Sequence, residues 1–156
     1  MIDPKVIQFL QNQQGGVLST LSSKNDIDSA FVYFASNPKG DIYFVTSKDT
    51  QKFKNIQSGS RVSFVCVDEE RLITIQAKGK AKTLTDPEEG ERVYDLLIHI
   101  LRQKLQKWPP PFTMMQDTGL VIVKVVFDWL RWGDFKCVQS TPLSDFFEQI
   151  IPKIEK

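Results

Sequence analysis

Six runs rich in β-branched and aromatic residues follow one another between Val17 and Trp132, and most of the connections between them are too short to return a strand in parallel. The runs are VLSTL (Val17–Leu21), FVYFA (Phe31–Ala35), IYFV (Ile42–Val45), RVSFVCV (Arg61–Val67), the long stretch Leu72–Leu84 and the equally long Leu120–Trp132. A parallel neighbour needs a crossover of about a dozen residues or more, usually a helix. Here Lys24 to Asp28, Asn37-Pro38-Lys39-Gly40 and Asp68-Glu69-Glu70 are polar turns instead. Antiparallel pairing follows, with Phe31–Ala35 and Ile42–Val45 predicted as a hairpin. The expected fold is mainly β: a small antiparallel β-barrel with flanking helices, forming one domain over residues 1–156.

The helices announce themselves by their ends. Asp3 is an N-cap with Pro4 at the first helical position, Val6, Ile7, Phe9 and Leu10 give an apolar side, and Gly15-Gly16 is the predicted stop. A short helix is predicted from Thr50 to Gln57, closed by Ser58-Gly59. A longer one starts at Asp86-Pro87-Glu88-Glu89 and runs to about Lys107, with Val93, Leu96, Leu97, Ile100 and Leu101 on one face, until Pro109 to Pro111 break it. Ser144 is predicted to open a C-terminal helix carrying Phe146, Phe147, Ile150 and Ile151.

Charge narrows the function classes. With 20 Lys and Arg against 19 Asp and Glu, net charge +1, no strong field steers the chain to nucleic acid or to a membrane surface. No apolar run approaches the roughly 20 residues that span a bilayer. MIDPKVIQFL lacks the layout of a signal peptide, so a cytoplasmic location is expected. Cys66 and Cys137 are far apart and without CxxC spacing; reduced packing cysteines are expected, with a disulfide as the alternative. One histidine, His99, and two scattered cysteines speak against a structural zinc site.

The segment Tyr43 to Ile56, YFVTSKDTQKFKNI, carries the clearest chemical signal. A helix's first turn bears partial positive charge and favours Asp or Glu, yet Lys52 stands there. A cation beside free backbone N–H groups and the hydroxyls of Thr46, Ser47 and Thr50 points to an anion held between them. The same hydroxyls also serve as helix caps, and the two roles are compatible.

Taken in order, GVLSTLS (Gly16–Ser22), SAFVYF (Ser29–Phe34), IYFVTSKDTQKFKNI (Ile42–Ile56), RVSFVCVD (Arg61–Asp68) and ITIQAKGKAKTL (Ile73–Leu84) resemble the FMN-binding split barrels of the pyridoxamine 5'-phosphate oxidase-like superfamily. That resemblance implies a six-stranded antiparallel Greek-key split barrel that forms a homodimer with FMN at its interface. It implies that Ser29, Ala30, Phe31, Val32, Tyr33 and Phe34 line the flavin along the second strand. Val45 and Thr46, with Ser47, would meet it at the end of the third strand, Gln51 and Lys52 would be the phosphate pair, and Thr74 would face the ring. Trp132 is the aromatic candidate for stacking near the flavin across the dimer. Gln51 replaces an arginine of the vitamin-synthesising oxidases, Phe34 replaces a lysine, and their C-terminal arginine and histidine have no counterpart. The general stress protein-like branch is therefore the better comparison, and pyridoxamine phosphate oxidation is not expected.

The resulting expectation is an FMN-binding flavoprotein acting as an oxidoreductase on a small molecule that the sequence does not identify. The alternatives are a flavin-binding or stress-related protein without turnover and a deazaflavin-dependent reductase. An oligonucleotide-binding barrel is disfavoured by the neutral charge and the lack of a basic-aromatic stripe. Phe31, Tyr33 and Phe44 are read equally as core or as a flavin wall, and Lys78, Lys80 and Lys82 as a solvated face that discourages edge pairing. Trp129 and Trp132 are assigned to opposite strand faces, Cys66 to packing and His99 to a structural or surface position. Pro109 to Met115 is either a lid or a connector.

Overall fold

The computed structural model describes residues 2–59, 61–104, 119–137 and 146–152. Chain order is α1 (Pro4–Asn12), β1 (Gly15–Leu21), β2 (Ile27–Tyr33), β3 (Ala35–Ser36), β4 (Ile42–Ser47), α2 (Gln51–Gln57), β5 (Arg61–Asp68), β6 (Ile73–Thr83), α3 (Pro87–Lys104), β7 (Leu120–Asp134) and β8 (Phe147–Ile151). The strands form one antiparallel sheet in the order β2-β1-β5-β6-β7-β4-β3, with β8 beside β7. The non-consecutive neighbours β1–β5 and β4–β7 give the Greek-key path. The sheet curls into a split barrel whose interior is one apolar cluster. Leu18, Val32, Phe44, Phe64, Ile75 and Val125 reach it from six strands, and Val6, Phe9 and Leu10 of α1 close one end. Alternation along the strands sorts the faces: in β5, Val62, Phe64 and Cys66 point in while Val65 and Val67 point out.

All six expected strands are present, and among the described residues two short ones, β3 and β8, are added. Several local expectations are corrected. Gly15-Gly16 does not end α1; Gln13 caps it, its N–H bonding the Phe9 carbonyl at 3.1 Å, and both glycines lie inside β1. They are there for close approach: a Cβ on Gly15 would collide with the Phe31 ring, and one on Gly16 would come within 2.8 Å of the Val65 carbonyl. The second strand starts at Ile27 rather than Phe31 and pairs with β1 (Val17↔Phe31, Leu21↔Ile27). The predicted hairpin shrinks to Ala35↔Tyr43 and Ser36↔Ile42 because the residues up to Tyr33 pair with β1 instead (Gly16↔Val32, Gly15↔Tyr33).

The predicted C-terminal helix is strand β8. The β4 partner of β7 ends at Val125, which leaves later backbone groups on that edge open, and β8 pairs with Leu130 to Gly133. The spacing of Phe146, Phe147, Ile150 and Ile151 fits a helix, but sheet pairing and burial of Phe146 and Ile150 override it. Lys78, Lys80 and Lys82 are exposed as expected, but Lys78 and Lys80 are paired on both sides, by β5 and β7, and only Lys82 lies past the last β5 pair, Arg61↔Lys80. On α3, Val93 and Leu97 are buried over Ala35 and Tyr43 and Ile100 packs against them, whereas Leu96 is exposed. The expected end of α3 near Lys107, the proline break and the Pro109–Met115 segment lie outside the described residues.

Candidate functional site

The end of β4 delivers Thr46 and Ser47 to the start of α2. Thr50 caps that helix, its Oγ1 accepting from the Phe53 N–H at 3.4 Å and donating to the Ser47 carbonyl at 2.9 Å. Thr46 is buried, with its Oγ1 3.0 Å from Thr50 Oγ1. The half-buried Lys52 turns back over this corner and donates from Nζ to Thr46 Oγ1 at 3.2 Å. Among the described residues no carboxylate pairs with it. Burial alone holds its ammonium below the ordinary lysine range. A partly desolvated cation whose hydrogen bond among the described residues goes to one hydroxyl is under-neutralised, and an anion would supply what those residues do not.

Beneath it lies a polar clamp that the sequence did not reveal. Asn55 is buried, and its Nδ2 donates to Thr20 Oγ1 of β1 at 3.0 Å and to Asp28 Oδ2 of β2 at 2.9 Å. Its Oδ1 accepts from Gln51 Nε2 at 2.9 Å. One side chain therefore fastens α2 to two strands and holds Gln51 along the helix. The i, i+4 spacing of Gln51 and Asn55 was legible; that Asn55 faces the sheet was not.

The odd-numbered residues of β2 face outward. Ser29 Oγ lies 2.8 Å from Ser19 Oγ, and the exposed Phe31 meets Tyr33 edge to face at 5.3 Å. Val32 and Phe34 belong to the core, Phe34 against Phe64 at 5.2 Å, and Ala30 and Val45 are half-buried. Along this strand Val32 and Phe34 have only backbone groups to offer a ligand. Phe44 is core and Cys66 packs as expected, its thiol donating to the Gly15 carbonyl at 3.3 Å.

Thr74 and Trp132 are not brought to Lys52. Thr74 is buried and donates to the Cys66 carbonyl at 3.3 Å. Trp132 packs edge to face on Phe9 at 5.3 Å, with Lys5 over its ring. Thr46 pairs with Val121 and Ile75 with Trp132, so the two groups are eleven residues apart on β7, about 36 Å of strand at ~3.3 Å per residue. His99 is exposed on α3. Among the described residues no helix is long and apolar enough to cross a membrane.

Residues 2–131 match the family model described as pyridoxamine 5'-phosphate oxidase. The chain belongs to that family. Solved structures agree on the fold of this pyridoxamine 5'-phosphate oxidase family member. The conserved hypothetical protein Rv2991 from Mycobacterium tuberculosis is 20% identical with a TM-score of 0.69, over 92% of this chain and 91% of that one. General stress protein 26 from Bacillus anthracis is 19% identical at 0.61, over 82% and 91%. HutZ, the haem storage protein from Vibrio cholerae, is 14% identical at 0.57, over 83% and 92%. Among curated proteins, none matches the chain.

Proposed function

We propose that this family member is a homodimeric FMN-binding flavoprotein that acts as an oxidoreductase on a small molecule. The observation that carries the reading is Lys52: a half-buried ammonium in the first turn of α2, bonded to Thr46 Oγ1 at the end of β4 and paired with no carboxylate among the described residues. In this reading Lys52, Thr46 and Thr50 hold the FMN phosphate, with Ser47 and Gln51 beside them. The outward side of β2, from Ser29 through Phe31 and Tyr33, lies along the flavin. Bound flavin would supply hydride or electron transfer; the protein's part is to hold the phosphate, position the ring and limit access of water.

A second copy of the chain has a surface to occupy. Phe31, Val17 and Val65 are direct neighbours across β2, β1 and β5, and all three are exposed; Leu21, Ile27 and Val67 extend the same apolar face. Contiguous apolar patches of this kind mark interaction surfaces. Dimerisation through this face is also the route by which a distant Thr74 or Trp132 would reach a flavin held at Lys52.

The test is direct. Purified protein should take up FMN stoichiometrically, with the flavin absorbance bands, and sediment as a dimer. Reduced nicotinamide should then bleach the bound flavin; binding without bleaching would leave a flavin-binding protein and remove the oxidoreductase assignment. Protein that stays colourless in excess FMN would overturn the proposal.

A further inference from the structure

An open trough of about 400 Å³ runs over the outer face of β1, β5 and β6, and it shares no residue with the Lys52 corner. That size lies within the roughly 300–1,000 Å³ usual for small-molecule sites. Leu21 and Ile27 form its apolar side. The strand register sets its polar side: Ser19, Ser63, Lys78 and Trp129 lie in one line across β1, β5, β6 and β7. Ser19 Oγ is 2.8 Å from Ser29 Oγ. Ser63 is half-buried, and its hydroxyl has no partner among the described residues.

The charges here divide into one matched pair and two unmatched cations. Arg61, which also lines the trough, is held by both carboxylate oxygens of Asp128. Lys78 and Arg131 pair with no carboxylate among the described residues. Both sit on the same indole: Lys78 Nζ lies 5.0 Å from the centroid of the Trp129 ring and Arg131 Cζ 5.6 Å. The half-buried Arg131 is fixed further, with Nε and Nη2 donating to Gln76 Oε1 at 2.9 and 2.6 Å and its Cζ 4.0 Å from the centroid of Phe147. An aromatic face attracts each cation but neutralises neither. Two like charges on one ring also repel each other, and an oxyanion between them would relieve both.

We propose that this trough binds a small hydroxyl-bearing organic oxyanion, its carboxylate or phosphate at the Lys78 end, between that lysine and Arg131, and its hydroxyl on Ser63. Neighbouring strands are about 4.8 Å apart, so a three-carbon acid spans the step from Lys78 to Ser63. A neutral polyol would leave both cations unmatched, and a cation would be repelled.

The probes are D-glycerate and glycerol 3-phosphate, which separate a carboxylate ligand from a phosphate ligand, with glycerol as the neutral control. Each is titrated by calorimetry into the whole protein and into Lys52→Ala, which lacks the other candidate phosphate ligand. Saturable binding of at least one acid to both proteins, and none of glycerol, is expected. Lys78→Ala should weaken it about tenfold or more, the equivalent of one charged hydrogen bond, and Ser63→Ala about three- to fivefold. Lys80→Ala, exposed on the same strand, should leave the affinity within about twofold of wild type. Circular dichroism and the thermal midpoint verify that each variant is folded. No saturable binding of either acid, an equal loss in Lys78→Ala and Lys80→Ala, or binding that vanishes in Lys52→Ala would each overturn the proposal. Leu21 and Ile27 belong also to the apolar face offered to a second copy, so binding seen only in a monomeric Val17→Asp variant would mean that the second copy fills the trough, and would overturn it as well. None of these results depends on whether FMN binds at Lys52.

Discussion

Lys52→Ala should separate FMN from riboflavin. Nζ sits at hydrogen-bond distance from Thr46 Oγ1 in a corner without a paired carboxylate, so a phosphate there would gain a charge-assisted bond. Two unit charges about 4 Å apart at an effective dielectric of ~20 attract by about 4 kcal/mol, which sets the ceiling. Lys52 is only half-buried, so solvent screening lowers that figure, and hydrogen bonds to charged groups measure about 1.5–3 kcal/mol net. About 2 kcal/mol is the working value, or a ~30-fold loss of FMN affinity. Riboflavin carries the same ring without the phosphate, so its affinity should move by less than about twofold. The assay is quenching of flavin fluorescence with wild type and variant against both ligands. The four dissociation constants form a cycle whose coupling term isolates the contact between Lys52 and the phosphate. If wild type does not prefer FMN to riboflavin, or if the substitution weakens both equally, Lys52 is not the phosphate ligand and the reasoning fails. A uniform loss would mean that Lys52 only shapes the corner around Thr46.

Other expectations follow from the same geometry. Burial lowers the Lys52 pKa, and the bound phosphate needs the charged form. FMN affinity should therefore hold through neutral pH and decline as pH rises, starting below the ordinary lysine value of ~10.4, while Lys52→Ala should lose that limb. Gln51→Arg restores a second cation at an exposed position and should tighten FMN binding by about three- to tenfold, readable in the same titration. Asn55→Ala strands Thr20 and Asp28 and should lower stability by about 2–4 kcal/mol in a denaturant titration; a loss under 1 kcal/mol would mean the clamp is dispensable. Val17→Asp places a charge at the centre of the Phe31–Val17–Val65 row and should yield a monomer by sedimentation, with weakened FMN uptake.

Local chemistry and alternation made most of the fold legible, and what they missed has a common physical origin. The Asp3 and Thr50 caps, the Asn37-Pro38-Lys39-Gly40 turn and the long strands β6 and β7 announce themselves in neighbouring residues. The failures are decisions made by distant partners. Phe146 to Ile151 has helical spacing, but the edge of β7 past Val125 offers hydrogen bonds that a helix would leave unmade. Gly15 and Gly16 look like a stop signal until Phe31 and the Val65 carbonyl are placed against them. The site divides the same way. Lys52 was legible because its anomaly is local: a cation in a helix's first turn beside three hydroxyls. Asn55 was not, because it joins residues far apart in sequence whose types are ordinary on their own. The legible half of the site is therefore the half that touches a ligand's charge. The hidden half holds that charge in position, so substitutions there should appear first as lost stability and only secondarily as lost affinity.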